Sequence, residues 1–295
     1  MDEDLKAMII EHGLPQSYAS TASLYFVPLV EQLSTHQTGA GKPLVVGIHG
    51  CQGSGKSTLA TFLKIALQHS DLSVVVVSLD DVYLTKAQRI TLSQTIHPLL
   101  LTRGVPGTHD IELAMNVING LSNSNSSTVA IPRFDKAKDD RLPSTHWDTV
   151  RTPIDVIILE GWCLGVPPQD ETQLTSPVNE LEAQLDTDGT WRKYVNHTLQ
   201  KDSPVLFNCV DQWVMLQAPS FDCVYQWRLE QEQKLAASYT GKNGHQIMSE
   251  EQVWHFIQHY QRLTEHGLRT LPTKVHHLFQ LNEQRQIIRY EKPLN

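Results

Sequence analysis

Long apolar runs are missing. Nothing in the chain approaches the roughly 18 consecutive apolar residues that a membrane-spanning helix requires, so no membrane partner is expected. Cysteine is scarce: Cys51, Cys163, Cys209 and Cys223 form neither a C-x-x-C pair nor a regular spacing. That excludes a disulfide framework and points to reduced thiols in the cytoplasm. The chain opens Met1-Asp2-Glu3-Asp4, acidic where a secretory or mitochondrial leader is basic. Positive charge is in deficit as well, and a net charge of -8 argues against a nucleic-acid backbone as the main partner. No N-K-x-D guanine signature occurs. His255 and His259 stand four apart, but Phe256 replaces the glutamate of H-E-x-x-H, so they are read as surface or packing residues rather than zinc ligands. Asp186-Thr187-Asp188-Gly189 fits D-x-x-G yet follows no apolar strand and is read as a turn. There are no internal repeats, and the one biased segment, Ser122-Asn123-Ser124-Asn125-Ser126-Ser127, is read as a surface loop. The 295 residues, 40% of them apolar, suit one large domain or one domain with insertions. Oligomeric state is left open.

Against this background one motif stands out. Gly50-Cys51-Gln52-Gly53-Ser54-Gly55-Lys56-Ser57 reads G-x-x-x-x-G-K-S. Before it lies the apolar run Leu44-Val45-Val46-Gly47-Ile48. After it Leu59, Phe62, Leu63, Ala66 and Leu67 follow the spacing of one helix face. Strand, glycine turn and helix start are the setting a phosphate-binding loop needs. Glycines let successive N–H groups turn inward on a polyphosphate, and the helix N-terminus adds favourable partial charge. The residues from Gly50 through Gly55, with Lys56, Ser57 and Thr58, are therefore nucleotide-binding candidates. Lys56 would reach the β- and γ-phosphates, and the Ser57 hydroxyl would ligate magnesium. The alternative is a structural glycine turn.

Val74-Val75-Val76-Val77-Ser78 is too uniformly apolar for a half-exposed strand and predicts a parallel sheet covered on both faces. Val129-Ala130-Ile131, Ile154 to Leu159 and Gln212 to Leu216 are further strand candidates, with a closing strand pair over 275 to 290 around Asn282-Glu283. Strands separated by helical stretches predict a doubly wound α/β sheet with helices on both faces, the nucleotide-binding P-loop fold. Residues 1 to 42, carrying Tyr18, Leu24, Tyr25, Phe26 and Leu29, are read as a helical N-terminal extension ending in the turn-rich Thr38 to Pro43. The body that carries this fold would occupy 43 to 295, with an insertion at about 84 to 150 and C-terminal helices at about 220 to 270. Ser249-Glu250-Glu251-Gln252 is a capping-box pattern, and Val253, Phe256, Ile257, Tyr260 and Leu263 continue it as a core-facing stripe.

Asp80-Asp81 follows the second strand directly, so both carboxylates belong at the C-terminal edge of the sheet, where open α/β sheets bind ligands. A carboxylate there can accept the proton of an attacking hydroxyl, hold magnesium, or both; capping a helix is the plain alternative. Glu160 ends a later strand at the same edge and is a magnesium candidate.

Ser78-Leu79-Asp80-Asp81-Val82-Tyr83 resembles the strand-end motif of the uridine kinase, phosphoribulokinase and pantothenate kinase superfamily. A closer resemblance is to the plant-type D-glycerate 3-kinase family with its bacterial and fungal relatives. It rests on Gly50 to Ser57, Asp80 to Thr85, Arg103-Gly104-Val105-Pro106-Gly107-Thr108-His109-Asp110, Pro132 to Lys136 and Asp140-Arg141. Glu160-Gly161-Trp162, Tyr225 to Glu230 and Met248 to Glu251 complete it, over about residues 44 to 272. Two departures stand near the acceptor region. Lys136-Ala137-Lys138-Asp139-Asp140 is shorter than the family's loop and lacks its glycines, and Cys163 stands where the plant enzymes have methionine.

The resemblance implies an ATP- and magnesium-dependent kinase acting on a hydroxyl of a small molecule, with D-glycerate as acceptor, Asp80 as base and Arg228 as a lid arginine. The middle segment agrees with an anionic acceptor. Arg103, His109 and Asp110 flank the Pro106-Gly107 turn, and Arg103 or Arg141 offers a guanidinium fork for a carboxylate. Lys136 can meet phosphate or acceptor, Asp110 a substrate hydroxyl, and Asp81 and Tyr83 can line the pocket. Each of these also fits a structural salt bridge, and Arg228 also fits a solvated mixed-charge helix. Other acceptors, a nucleoside or a pantothenate-like compound, stay open. So does an ATP-binding regulatory protein that would use Trp147, Trp162, Trp191 and Trp213 at an interface.

Overall fold

Leu44-Val45-Val46-Gly47-Ile48 sits at the centre of the sheet, because side chains on both of its faces find apolar cover. The computed structural model describes residues 3–38, 42–123, 127–238 and 248–294. Its strands are β1 (Leu44–Gly50), β2 (Val74–Ser78), β3 (Thr128–Ile131), β4 (Phe134–Asp135), β5 (Asp140–Arg141), β6 (Asp148–Arg151), β7 (Val156–Gly161), β8 (Gln212–Gln217), β9 (His277–Leu281) and β10 (Ile287–Glu291). Six of them form one sheet in the order β10-β9-β8-β1-β7-β2, parallel throughout except for β10 at the edge. Every residue of β1 and β7 is buried, as expected of strands with helices over both faces.

The helices are α1 (Glu3–Glu11), α2 (Tyr18–Thr21), α3 (Val27–Thr38), α4 (Lys56–Gln68), α5 (Lys86–Thr95), α6 (Ile111–Ser122), α7 (Glu180–Leu185), α8 (Thr190–Lys201), α9 (Ser203–Phe207), α10 (Phe221–Ser238) and α11 (Glu250–Thr270). Helix α4 begins at Lys56 and lays Leu59, Phe62, Leu63 and Leu67 against β1, β2 and β7. Truncating one such fully buried leucine to alanine costs about 2–5 kcal/mol. Helices α1 and α3 pack on α4. Between them Phe26 joins α4 to the sheet edge, its ring 5.6 Å from Phe62 and 5.7 Å from Phe279. Helix α11 starts with the expected capping box, the Ser249 hydroxyl accepting from the Gln252 N–H.

Two expectations change. Val129–Ile131 is extended but does not join the central sheet. It pairs antiparallel with β6 in a separate ribbon under α6, since its partner strand lies about twenty residues on in the same insertion. The strand read as Ile154–Leu159 begins at Val156, because Asp155 turns its carboxylate onto the Ser73 N–H and hydroxyl before the ladder starts. The predicted turn at 186–189 is present, with Asp186 accepting from the N–H groups of Trp191 and Arg192 at the start of α8. Trp162 and Trp191 are buried within the chain and offer no surface to a partner. The expectations for Met1-Asp2, for the Thr38–Pro43 turn at 39–41, for the Ser122–Ser127 loop at 124–126, and for the 220–270 stretch at 239–247 lie outside the described residues.

Candidate functional site

The glycine loop runs from the end of β1 into α4, and its geometry follows from its residues. Gly53 and Gly55 hold φ of 76° and 92°, the left-handed region that suits glycine, and the Ser54 N–H donates to the Cys51 carbonyl at 3.2 Å. The first helical bond of α4 runs from the Leu59 N–H to Gly55. The N–H groups of Lys56, Ser57 and Thr58 therefore have no partner within the helix, which makes this end a ready anion cradle. Gly53 is required on a second count: a Cβ there would stand 2.6 Å from the Trp227 Cβ on α10, which passes directly over the loop. Cys51 lies buried beneath, and burial pushes its thiol up to about 12, so it contributes backbone only. The Ser54 hydroxyl and the Gln52 side-chain carbonyl are buried without a partner in the chain.

Sheet register brings the acidic rim beside this cradle. Glu160 stands opposite Ile48 on one side and Ser78 on the other. Its Oε1 accepts from the Ser57 hydroxyl at 3.2 Å and the Ser78 hydroxyl at 2.7 Å, while Lys56 Nζ lies 3.7 Å from Oε2. Burial works against charge on Lys56, but Glu160 and then Asp80 outweigh it and hold its pKa above the ordinary lysine value. Two residues past β2, Asp80 accepts from the Tyr83 hydroxyl and from Lys136 Nζ, both at 2.6 Å. Burial raises the Asp80 carboxyl, and Lys136, Lys56 and these hydrogen bonds more than reverse that, leaving it well below the usual carboxylate range. Lys56, Ser57, Glu160, Ser78, Asp80, Tyr83 and Lys136 thus form one connected chain of polar contacts.

The donor set fits magnesium. Glu160 Oε2 is buried with no hydrogen-bond partner, next to the Ser57 hydroxyl, and hard oxygens of this kind suit the ion. No group of three or more His, Cys, Asp or Glu able to hold a metal occurs among the described residues, so an ion here would complete its shell with phosphate oxygens and water. Asp80, a further magnesium candidate, already accepts one hydrogen bond at each oxygen, from Tyr83 and from Lys136.

On the acceptor side the backbone of residues 82–84 pairs with 108–110, through Asp110 N–H to Val82 and Leu84 N–H to Thr108. This sets His109 beside Tyr83, the rings tilted by 34° with centres 4.9 Å apart. Burial lowers the His109 pKa to about 4, so the imidazole is neutral, and its Nε2 lacks a partner. The other charged candidates are engaged with the chain itself. Asp81 accepts from Arg133 at 2.8 Å and from the Phe134 N–H at 3.2 Å. Asp110 caps α6 through the Leu113 N–H and pairs with Arg141 at 2.8 Å. Arg103 pairs with Asp139, and its guanidinium lies 5.4 Å from the Phe134 ring centre. Arg228, on α10, pairs with Glu232 at 2.7 Å and lies over Phe256 of α11.

Several residues important to this geometry were not among the candidates. Ser78 joins Glu160 to the Asp80 N–H; it heads the Ser78–Tyr83 motif, but nothing local assigned it this role. Tyr260 donates to the Arg103 carbonyl at 3.0 Å, and its ring fills the space a Cβ on Gly104 would occupy. Arg89, fully buried, donates to the carbonyls of Leu84, Leu101 and Asp139 and so ties three parts of the acceptor region together.

No protein-family model matches the chain. The kinase mug58 of Schizosaccharomyces pombe, described as uncharacterized, is 37% identical over 244 residues, 80% of this chain and 85% of the relative. The chloroplastic D-glycerate 3-kinase of Arabidopsis thaliana is 32% identical over 233 residues, 74% of this chain and 46% of that longer protein. Among solved structures, the D-glycerate 3-kinase of Cryptococcus neoformans var. grubii superposes with a TM-score of 0.73 at 30% identity, covering 89% of this chain and 96% of the other. With its glycine cradle, acidic sheet edge and these relatives, the chain belongs to the P-loop kinase family that includes the D-glycerate 3-kinases.

Proposed function

We propose that the protein is an ATP-dependent kinase of the cytoplasm that transfers the γ-phosphoryl group to a hydroxyl of a small metabolite, D-glycerate. The observation that carries this reading is the polar chain from Lys56 through Glu160 and Ser78 to Asp80, which sets a carboxylate beside the phosphate cradle. In it Lys56 and the loop amides hold the polyphosphate. Ser57 and Glu160 hold magnesium, which when bound offsets phosphate charge. Asp80 orients the attacking hydroxyl and takes its proton. A carboxylate of lowered pKa is a weak base, yet it suits a loose phosphoryl transition state, in which positioning and charge stabilisation matter more than early proton removal. Arg228 offsets charge on the transferring group.

A carboxylate-bearing acceptor is favoured by Arg103, Lys136 and Arg141 in one neighbourhood. Each guanidinium carries five N–H donors, and the ion pair described for Arg103 or Arg141 engages one nitrogen of the three. His109 and Tyr83 form an uncharged wall to the same region, with Asp81 and Asp110 shaping it from behind. The test is ADP release measured with ATP and magnesium across D-glycerate, other hydroxy acids, nucleosides and pantothenate-like compounds. Stimulation by D-glycerate above all others is expected. A nucleoside as the preferred acceptor would remove glycerate but not the kinase. ADP formation at one rate whatever is added would remove the kinase and favour a regulatory ATP-binding protein.

A further inference from the structure

A cavity of about 600 Å³ opens beside the phosphate loop, on a surface that includes none of Asp80, Lys136 or Glu160. Its floor is Gly53, Ser54, Gly55, Thr58 and Leu59, and its far side is the turn between β9 and β10, with Leu281 and Ile287. The remaining wall comes from Gln231 and Lys234 of α10 and from the other end of the chain: the turn from His12 to Ser17, together with Tyr18 and Thr21 of α2. That turn is a built structure. Gly13 takes φ of 58°, the Leu14 N–H donates to Ile9 at 2.9 Å, and the Tyr18 N–H donates to Pro15 at 2.8 Å. The volume falls within the roughly 300–1,000 Å³ of small-ligand sites, and the lining mixes apolar faces with a few polar groups as such sites do.

One group in this wall is unfinished. The Tyr18 hydroxyl is buried and has no hydrogen-bond partner in the chain, a state that buried donors rarely keep without a ligand or water. Burial also raises its pKa, so it remains an O–H donor at any working pH. Its ring packs beside Phe26, with centres 6.1 Å apart, which fixes where the hydroxyl stands.

Resting on the kinase reading above, we propose that the N-terminal helices are part of the nucleotide site. The nucleobase of a purine nucleoside triphosphate lies between Leu14 and Tyr18 on one side and Leu281 and Ile287 on the other, and the Tyr18 hydroxyl hydrogen-bonds to it. A polyphosphate in the glycine cradle has its reacting end toward Asp80, so its nucleoside extends away from that rim. The cavity shares Gly53, Ser54, Gly55 and Thr58 with the loop and none of the rim's carboxylates, which suits the nucleoside end. A planar ring between apolar side chains recovers their contact area, and the ring nitrogens give the Tyr18 O–H an acceptor.

The test compares ADP with inorganic tripolyphosphate, which fills the cradle and has no base. Calorimetric binding is measured on the full chain and on Tyr18→Phe and Ser17→Trp. The first variant removes only the hydroxyl; the second fills the cavity from an exposed position whose side chain caps nothing. ADP affinity is expected to fall about fivefold in Tyr18→Phe and more than about tenfold in Ser17→Trp, with tripolyphosphate affinity unchanged in both. Selective loss of ADP in either variant supports the assignment. Unchanged ADP affinity in both, or equal weakening of both ligands, overturns it while leaving the kinase reading intact. Failure of the unmodified protein to bind either ligand would instead overturn the kinase reading, and this assignment with it.

Discussion

The two sides of the candidate site are built by different means. The phosphate side is made of consecutive residues, Gly50 to Thr58, whose backbone supplies the cradle and whose shape follows from glycine torsions and a helix start. The acceptor side is made of side-chain pairs that bridge distant parts of the chain: Lys136 to Asp80 across 56 positions, Arg133 to Asp81 across 52, and Arg103 to Asp139 across 36. A backbone cradle tolerates changes in most of its side chains. A lattice of ion pairs transmits a change at one member to its neighbours, because removing one charge leaves the other uncompensated.

The largest effect should come from the one side chain on which the phosphate side does depend. Lys56→Ala is expected to lower kcat/KM about 10³-fold, whereas Cys51→Ala in the same loop should leave ADP affinity within about twofold. Equal losses from both, in steady-state kinetics and calorimetry, would break the contrast. Next is Asp80→Asn, which should lower kcat about 10²-fold while ADP binding survives. Full turnover in that variant would remove Asp80 as base.

A pH experiment asks whether the two sides also share a feature. Each hides a neutral imidazole, His49 behind the glycine loop and His109 beside Tyr83, both lowered by burial from 6.5 to about 4. The unfolded chain then binds more protons, so stability falls as pH drops from about 6.5 toward 4. Each imidazole should contribute about 2 kcal/mol of loss by about pH 5. Denaturant unfolding of His109→Gln should show a shallower decline over that window. An identical slope would mean His109 takes up a proton in the fold as easily as in the unfolded chain. The smallest expected effect is Asp81→Asn, which loosens the hold of the turn after β2 on Arg133 and Phe134. It should raise acceptor KM about tenfold with kcat and ADP affinity unchanged, and a change in ADP affinity would mean that the two sides are coupled.

The same contrast decides what could be read before any coordinates. The cradle, the strand ahead of it and the stripe of α4 are written in adjacent residues, and β2, β8 and the closing hairpin were equally legible from local apolar pattern. Asp80 and Glu160 were legible as strand-end carboxylates, since strand ends in a parallel sheet share an edge. Partners of the acceptor-side charges were not. A lone Arg141 or Asp81 looks alike in a ligand pocket and in an internal ion pair, and only the fold says which charge it meets. Val129–Ile131 was open for a related reason: a short extended run does not name the strand it joins. His12 to Tyr18 carry no local signature at all, and they reach the glycine loop only because α1 and α3 dock on α4.

Trp227 has a mechanical consequence. Its backbone rests on Gly53, its indole N–H donates to the Glu283 carbonyl at 2.7 Å, and the Arg285 guanidinium covers its ring at 5.6 Å. Helix α10 therefore cannot roll about its long axis without prising at the glycine loop and at the β9–β10 turn in the same movement. One residue pins three segments, and tension applied at any of them is felt at the other two.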